Sequence, residues 1–297
     1  MSQSHSKLKI WINSTRPKTL WAAVGPVLIG TALAYCDTQI HMGIFLATLT
    51  AAVLIQIGTN LSNDYFDSVK GADTEERTGP LRATQAGLVS PVAMMRASIG
   101  VFGLAALLGL YLISKGGWPI LVVGVLSILS GILYTAGPFP LGYLGMGEIF
   151  VLFFFGPVAV GGTYYLQTRA INPLIIMAGL APGLISTAIL AVNNLRDRRT
   201  DKTAGKKTLA VRLGRQFGIF EYIACVLLAS FIPVVLCWIT KEHYACLVAL
   251  FALLTARKSI VAVYLKGDDA ETCNQVLEET GKFLVVFSVL FSVGWIL

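Results

Sequence analysis

Nine long apolar runs, each bounded by polar or charged residues, constrain what this chain can fold into. A helix of about 20 apolar residues is long enough to cross the hydrocarbon core of a bilayer. Hydropathy and helix-breaking residues place the runs at 20–36, 43–62, 93–113, 118–136, 147–167, 173–193, 217–239, 243–264 and 281–297. They predict an all-α polytopic membrane protein with about nine transmembrane helices, forming one domain over residues 1–297.

The composition agrees with a membrane protein. Hydrophobic residues make up 55% of the 297 residues and charged residues 13%, whereas a soluble domain carries about 25% charged residues. A signal peptide is the competing interpretation of the first run and its basic leader, but we interpret this run as a retained helix. The five cysteines form no CxxC or Cys/His pattern, so the sequence predicts neither disulfides nor a thiolate metal site.

Basic residues are distributed unequally between the two predicted sides of the membrane. If residues 1–18 are cytoplasmic, only three of the 23 Lys and Arg residues lie outside: Lys115, Arg169 and Lys241. This is the asymmetry of the positive-inside rule. We therefore predict a multi-pass protein of the inner (cytoplasmic) membrane with a cytoplasmic N terminus. The net charge of +7 then reflects topology and predicts no nucleic-acid partner.

A polar motif follows the sixth apolar run. Asn193, Asp197 and Asp201 are spaced i, i+4, i+8, so they share one face if the helix continues past the run. Carboxylate and amide oxygens are ligands that magnesium accepts. These three residues are therefore candidate metal ligands.

A second copy of this pattern follows the second apolar run. Asn60 and Asp64 are i, i+4, as are Asn63 and Asp67. A single such motif would most simply be a helix end or a turn, but two copies on the same predicted membrane side favour a site. Asn63, Asp64 and Asp67 are therefore also candidate ligands, and polar cytoplasmic loops are predicted at 63–91 and 197–216.

Basic residues lie close to both motifs in the sequence. Arg77, Arg82, Lys206 and Lys207 are candidate contacts for the oxygens of a diphosphate, although some basic residues here only set the topology. Metal ions and cations that neutralise a leaving diphosphate lower the barrier to ionising an allylic carbon–oxygen bond. The pattern therefore predicts a metal-bound diphosphate with an apolar tail.

Five stretches spread over most of the chain carry a family resemblance. They are RPKTL at 16–20, NLSNDYFDSVKGAD at 60–73, TGPLR at 78–82, YT at 134–135 with GYLGMGE at 142–148, and NNLRDRRTDKTAGKKTLAVRLG at 193–214. They resemble the UbiA superfamily of intramembrane prenyltransferases, and most closely its 1,4-dihydroxy-2-naphthoate polyprenyltransferases of menaquinone synthesis.

The resemblance implies a fold, a cofactor and two substrates. It implies helices around a central cavity, Mg²⁺, a polyprenyl diphosphate donor, and an acceptor whose carboxylate is replaced by the prenyl chain with loss of carbon dioxide, giving demethylmenaquinol. It also implies that Asn63, Asp64 and Asp67 bind one magnesium ion and that Asp197 and Asp201 bind the other. Asp67 and Asp197 are thereby the predicted catalytic residues.

The motifs leave several points open. Many relatives have a further Asp four residues after the position of Asp67, where this chain has Gly71, with Asp73 as the next acid. Arg16, Tyr134 and Tyr143 are candidate acceptor contacts, with packing or interface anchoring as the alternative for each.

Two other functions remain as alternatives at this level. One is the same transfer to 4-hydroxybenzoate or another aromatic acid. The other is a cation-coupled transporter, whose acids would lie near the bilayer midplane in related halves. Prenyl length and oligomeric state are not predicted.

Overall fold

The computed structural model describes residues 6–71 and 82–297, and all the regular structure of these residues is helical. The α-helices are α1 (Lys7–Ser14), α2 (Trp21–Asp37), α3 (Met42–Val69), α4 (Pro91–Gly116), α5 (Trp118–Leu133), α6 (Gly147–Phe153), α7 (Ala159–Thr168), α8 (Pro173–Arg196), α9 (Arg198–Thr203), α10 (Leu209–Thr240), α11 (Leu253–Lys266) and α12 (Ala270–Ile296). Pro17–Thr19 and Tyr244–Ala252 form 3-10 segments, and Phe154–Val158 forms a π-helical segment.

Each of the nine predicted spans coincides with helix, which confirms the predicted all-α membrane fold. Within the described residues, six helices are long and apolar enough to cross a membrane, or seven if Lys7–Thr19 and Trp21–Asp37 form one bent span. The fourth predicted span is α5, which has only 16 residues. The ninth lies within α12, which begins in polar sequence at Ala270.

Three helices extend further into polar sequence than the hydropathy pattern predicts. α3 continues to Val69, α10 begins at Leu209 and α12 begins at Ala270. The loops predicted at 63–91 and 197–216 are therefore shorter in the structure. Hydropathy marks the first polar residue, but the helix continues because these polar side chains contact one another instead of lipid.

The fifth span is broken near its middle, at a proline. Pro157 lies in the π-helical segment, and Gly156 beside it leaves helical geometry with φ −113° and ψ −111°. A Cβ on Gly156 would lie 2.7 Å from the main-chain oxygen of Gly179 in α8, so the close packing of this break on α8 requires glycine. Pro182, by contrast, lies inside α8 without interrupting it.

The bundle has a packed side and a hollow side. α8 packs against α10, α12 and α6, and their apolar side chains form the largest buried cluster. On the other side, α3 packs on α4 and α5. A cavity of about 440 Å³ lies there, lined by α2–α5, Tyr134 and the segment from α6 to α7.

The polar motifs all lie at one end of the bundle. There Arg196 at the end of α8 contacts Asn274 near the start of α12. At the opposite end, Cys36 of α2 contacts the main-chain oxygen of Trp295 in α12, and the ring of His243 stacks on Trp295. The chain thus separates a polar, basic end from a largely apolar one.

Candidate active site

The first motif occupies the last turns of α3. Asn63 lines the cavity, and its side-chain oxygen accepts a 2.9 Å hydrogen bond from the hydroxyl of Thr135. Asp67 lies one turn further on, is 2% exposed, and forms an ion pair with Arg82. The hydroxyl of Tyr143 donates a 2.6 Å hydrogen bond to the other carboxylate oxygen of Asp67. These partners offset the cost of burying the Asp67 charge.

Asp64 has a different set of partners. Its two carboxylate oxygens accept hydrogen bonds of 3.1 Å from the main-chain amides of Ala83 and Thr84. Asn60, one turn earlier, donates to the main-chain oxygen of Thr15 at 2.9 Å. Asn60 and Asp64 therefore bind main-chain groups of neighbouring segments, whereas Asn63 and Asp67 contact side chains of the site.

The second motif keeps its helical spacing across a change of helix. α8 ends at Arg196 and α9 begins at Arg198. The amide of Asp197 still donates to the oxygen of Asn193 at 3.0 Å, and that of Asp201 to the oxygen of Asp197 at 2.7 Å. The predicted common face is thus preserved, because the i→i+4 hydrogen bonds continue through the break.

Buried Arg196 organises this second motif. Its Nε and Nη2 atoms donate to the two oxygens of Asp197 at 2.8 and 2.7 Å. Nη2 also donates to the side-chain oxygen of Asn193 at 2.8 Å, and Nη1 to that of Asn274 at 2.8 Å. One guanidinium therefore orients two predicted ligands and ties them to α12, as its fixed fork geometry allows.

Asp201 connects the two motifs electrostatically. Its Oδ1 lies 3.2 Å from Nζ of Lys206. Burial raises the pKa of Asp201, Lys206 opposes this rise, and the carboxylates of Asp197 and Asp67 add to it. The acids of both motifs therefore lie close together, as the sequence predicted, although Asp67 and Asp197 are 130 residues apart in the chain.

The glycine-rich segment 137–146 joins the two motifs physically. The ring of Tyr143 lies between Nζ of Lys70, 5.2 Å from its centroid, and Nζ of Lys206 at 4.9 Å. The amide of Lys207 donates to the main-chain oxygen of Tyr143 at 2.7 Å. Gly145 has φ 73°, and a Cβ there would lie 2.6 Å from the oxygen of Lys207, so glycine is needed for this contact.

The predicted phosphate contacts have different positions. Arg82 and Lys206 contact carboxylates of the two motifs. Lys207 is exposed and meets the site through its main-chain amide. Arg77, like Asp73, lies outside the described residues.

The three candidate acceptor contacts also lie at different places in the structure. Tyr134 lines the cavity and is within electrostatic range of Arg16, Asp67 and Asp201. Arg16 has a left-handed backbone, with φ 51°, between α1 and the following 3-10 segment. Tyr143 lies beside the carboxylates and is not among the residues that line the cavity.

Sequence reasoning missed three residues of this site. Lys70 donates to the main-chain oxygens of Thr135 and Gly137 at 2.7 and 2.9 Å, and Arg196 and Thr135 hold motif side chains as described above. The spacing of Lys70, three residues after Asp67 on one helix, was the available signal. For Arg196 the signal was its place between Asn193 and Asp197, both of which it contacts, whereas Thr135 gave none because its partner Asn63 is far away in sequence.

Comparison with known proteins identifies the family. The model of the UbiA prenyltransferase family matches residues 23–287. The chain belongs to the UbiA prenyltransferase family. The 1,4-dihydroxy-2-naphthoate octaprenyltransferase of Escherichia coli (strain K12) is 38% identical over 98% of this chain and 96% of its own. That of Bacillus subtilis (strain 168) is 32% identical over 98% of this chain and 94% of its own.

Solved structures of the UbiA family share the fold. A UbiA homologue from Archaeoglobus fulgidus bound to GPP and Mg²⁺ has a TM-score of 0.67 at 13% identity, and the match covers 97% of this chain and 100% of that one. A digeranylgeranylglyceryl phosphate synthase has a TM-score of 0.59 at 19% identity, covering 98% and 99%. These structures confirm the predicted fold, and the family match confirms the predicted prenyltransferase.

The residues of this site fit the magnesium ions found in distant UbiA structures. Within residues 6–71 and 82–297, no three Asp, Glu, His or Cys side chains already form a group that could hold a metal. Magnesium takes only one or two protein carboxylates and completes its shell with water and phosphate oxygens. Asp67 on one motif, and Asp197 and Asp201 on the other, supply that number of hard oxygen donors.

Proposed function

We propose that this chain transfers a polyprenyl group from polyprenyl diphosphate to 1,4-dihydroxy-2-naphthoate. The allylic carbon–oxygen bond of the donor breaks, and diphosphate leaves with the bonding electrons. The ring carbon that carries the acceptor's carboxylate forms the new carbon–carbon bond, and that carboxylate is lost as carbon dioxide, giving demethylmenaquinol. The support is that relatives matched over 98% of this chain carry this acceptor in their names.

One observation supports a prenyl diphosphate donor above all others. Tyr143 contacts Asp67 of the first motif and also Lys206, which pairs with Asp201 of the second, and Asn63 of the first motif lines the apolar cavity. A diphosphate at the carboxylate end can therefore have its hydrocarbon tail in the cavity. Burial of that tail is favourable because it removes apolar surface from water.

The dimensions of the cavity suit an extended apolar chain. Thr48 and Asn63 of α3 both line it, so its ends are about 22 Å apart along the helix at ~1.5 Å per residue. Most of the lining consists of Ala, Gly, Leu, Ile, Val and Phe side chains. A wall that excludes water protects an allylic cation from hydrolysis.

In this proposal the basic residues hold the diphosphate end. Arg82 and Lys206 already contact carboxylates there, and their charges neutralise the leaving diphosphate. Asn63 and Asp67 would hold magnesium on one side, and Asn193, Asp197 and Asp201 on the other. Magnesium bound there would act as a Lewis acid toward the phosphate oxygens.

For the acceptor, the proposal assigns the polar end of the cavity beside Tyr134. Tyr134 lines the cavity and lies within electrostatic range of Arg16. An arginine suits the carboxylate of an aromatic acid, and a tyrosine suits its ring or hydroxyl. The acceptor ring would then meet the allylic carbon where the diphosphate leaves.

We also propose that the motif end of the bundle is cytoplasmic, in the inner membrane. The Lys and Arg asymmetry of the sequence supports this orientation. Both substrates would then enter at the cytoplasmic face or from the bilayer.

The test is an acceptor assay with purified protein, Mg²⁺ and a series of prenyl diphosphates. We expect prenylated product and carbon dioxide in equal amounts with 1,4-dihydroxy-2-naphthoate, and little product with 4-hydroxybenzoate. Preference for 4-hydroxybenzoate would support the alternative acceptor. Ion flux in proteoliposomes without any prenyl transfer would instead support the transporter, which membership of the UbiA family disfavours.

A further inference from the structure

The polar residues at the end of α3 divide into two pairs with separate partners. Asn63 and Asp67 contact Thr135, Tyr143 and Arg82. Asp64 lies between them in sequence, but both of its oxygens accept main-chain amides, from Ala83 and Thr84. The motif resemblance groups Asp64 with the metal ligands, and the contacts separate it from them.

These two hydrogen bonds engage a buried carboxylate. Asp64 is 3% exposed, and hydrogen bonds from amides to an ionised carboxylate are stronger than neutral ones. If Asp64 turned toward a metal, two buried amides would lose their acceptor, which is costly.

The two amides that donate to Asp64 belong to the residues that directly follow Arg82 in the chain. Nη1 of Arg82 donates to the main-chain oxygen of Asn63 at 2.7 Å, and the same guanidinium pairs with Asp67. Ala83 is buried in a small apolar cluster with Leu61 and Met94. Residues 82–84 are thus attached to successive residues of α3, and this attachment determines where the Arg82 side chain begins.

We propose that Asp64 is a positioning residue which anchors residues 82–84 on α3 and so keeps Arg82 at the diphosphate end of the site, instead of binding metal. This inference rests on the proposed function in one respect, namely that Arg82 binds the donor's diphosphate. Asp64 supplies two acceptors to the main chain and Arg82 supplies the cation. Asp67, whose partners are the side chains of Arg82 and Tyr143, is the acid of this motif that would hold magnesium.

The experiment measures binding of Mg²⁺ and inorganic diphosphate to the purified full-length protein, without acceptor or turnover. Asp64→Asn replaces one acceptor oxygen by an NH₂ group that faces an amide. We expect it to raise the diphosphate concentration for half-saturation on the order of tenfold, the scale for one hydrogen bond to a charged group. The Mg²⁺ concentration for half-saturation, at saturating diphosphate, should stay within about twofold of the native value, well below a tenfold step.

Three further variants make the comparison specific. Asp67→Asn should raise the Mg²⁺ requirement instead. The double variant Arg82→Ala/Asp64→Asn should bind diphosphate less than about twofold more weakly than Arg82→Ala alone, because residues that act as a unit are not additive. Asp37→Asn, at the opposite end of the bundle where Tyr164 donates to Asp37, is the matched control and should change neither value.

Several results would overturn the inference. One is a rise in the Mg²⁺ requirement for Asp64→Asn equal to that for Asp67→Asn, which would make Asp64 a ligand. Another is a double variant whose loss of diphosphate binding equals the product of the losses for Asp64→Asn and Arg82→Ala. Failure of the native protein to bind magnesium diphosphate would refute this inference and the proposed function together, whereas binding without prenylation of dihydroxynaphthoate would refute only the proposed function.

A second measurement covers the case in which Asp64→Asn does not fold. Amide hydrogen exchange of the native protein reports directly on Ala83 and Thr84. We expect both amides to be protected, and equally so after addition of Mg²⁺ and diphosphate. Loss of protection on adding Mg²⁺ would mean that Asp64 leaves these amides for the metal, and would overturn the inference.

Discussion

Tyr143 and Asp67 are far apart in sequence, yet the Tyr143 hydroxyl donates a 2.6 Å hydrogen bond to the Asp67 carboxylate. The same tyrosine accepts a main-chain hydrogen bond from Lys207, and its ring centroid lies 4.9 Å from Nζ of Lys206. It therefore connects the two acidic motifs, because Lys206 pairs with Asp201. Its position explains why a glycine-rich segment without acidic residues belongs to this site.

The Tyr143→Phe variant tests that connection. It removes one hydrogen bond to a charged group, and such bonds contribute about 1.5–3 kcal/mol. We expect kcat/KM for the prenyl diphosphate to fall on the order of tenfold or more, with little change in thermal stability because the ring remains. Tyr165→Phe, a substitution of the same kind on α7, is the control. Unchanged kinetics for Tyr143→Phe would mean that the hydroxyl does not orient Asp67 during the reaction.

Asp67 and Asp197 should behave as one unit. We expect Asp67→Ala and Asp197→Ala each to lower turnover on the order of 10²-fold or more, the scale for losing a preorganised electrostatic group. The double variant should be little worse than either single variant, because both acids serve one ionisation event. Product formation at saturating Mg²⁺ and donor measures this, with expression checked in parallel. Near-normal activity of either single variant would refute the two-sided metal site.

The sequence predicted the composition of the site better than the role of each member. Helical spacing predicted that Asn193, Asp197 and Asp201 share a face, and their i→i+4 hydrogen bonds bear this out. Spacing could not separate Asp64 from Asp67, because the two differ only in which distant segments pack against each side of α3. Nor could spacing predict that Arg196 contacts Asn274 in α12.

The extents of the helices show a related limit. Hydropathy ends a span where a cluster of polar and charged residues begins, so it placed the end of the second span at 62, whereas α3 continues to Val69. The additional turns carry Asn63, Asp64 and Asp67, which are helical because polar partners replace lipid around them. In this protein the polar helix ends that hydropathy assigns to loops contain the candidate site.

Removal of divalent metal should abolish turnover. The carboxylates of both motifs would hold the diphosphate through magnesium, so excess EDTA is expected to stop product formation and excess Mg²⁺ to restore it. A prenyl monophosphate should be a poor donor, since it offers fewer oxygens to two metal positions and is a poorer leaving group. Full activity in EDTA would remove the metal from the mechanism.

Membrane orientation can be tested with thiol labelling. Cys36 is the exposed native cysteine, whereas Cys225, Cys237, Cys246 and Cys273 are buried. We expect an impermeant thiol reagent to label Cys36 from outside cells whose inner membrane is intact. In a Cys36→Ser background, Glu271→Cys at the exposed start of α12 should react only after the membrane is permeabilised. Labelling of Glu271→Cys from outside would reverse the proposed orientation.

The cavity should limit which prenyl chains are used, and two glycines of α4 offer a matched test. Gly109 lines the cavity and Gly103 does not, while a Cβ on either would meet nothing within 4 Å. Gly109 is about two turns from the end of α4 at Gly116, so a phenylalanine there should block the deep part of the cavity.

For Gly109→Phe we expect kcat/KM with long prenyl diphosphates to fall on the order of tenfold or more, because inserting bulk into a filled site costs about 1–3 kcal/mol. With geranyl diphosphate, whose short tail stays near Asn63, kcat/KM should fall by less than about threefold, which is well under the tenfold loss expected for long donors. Gly103→Phe adds the same ring outside the cavity and should leave both donors unaffected. An equal loss for short and long donors in Gly109→Phe would mean that the prenyl tail does not follow this cavity.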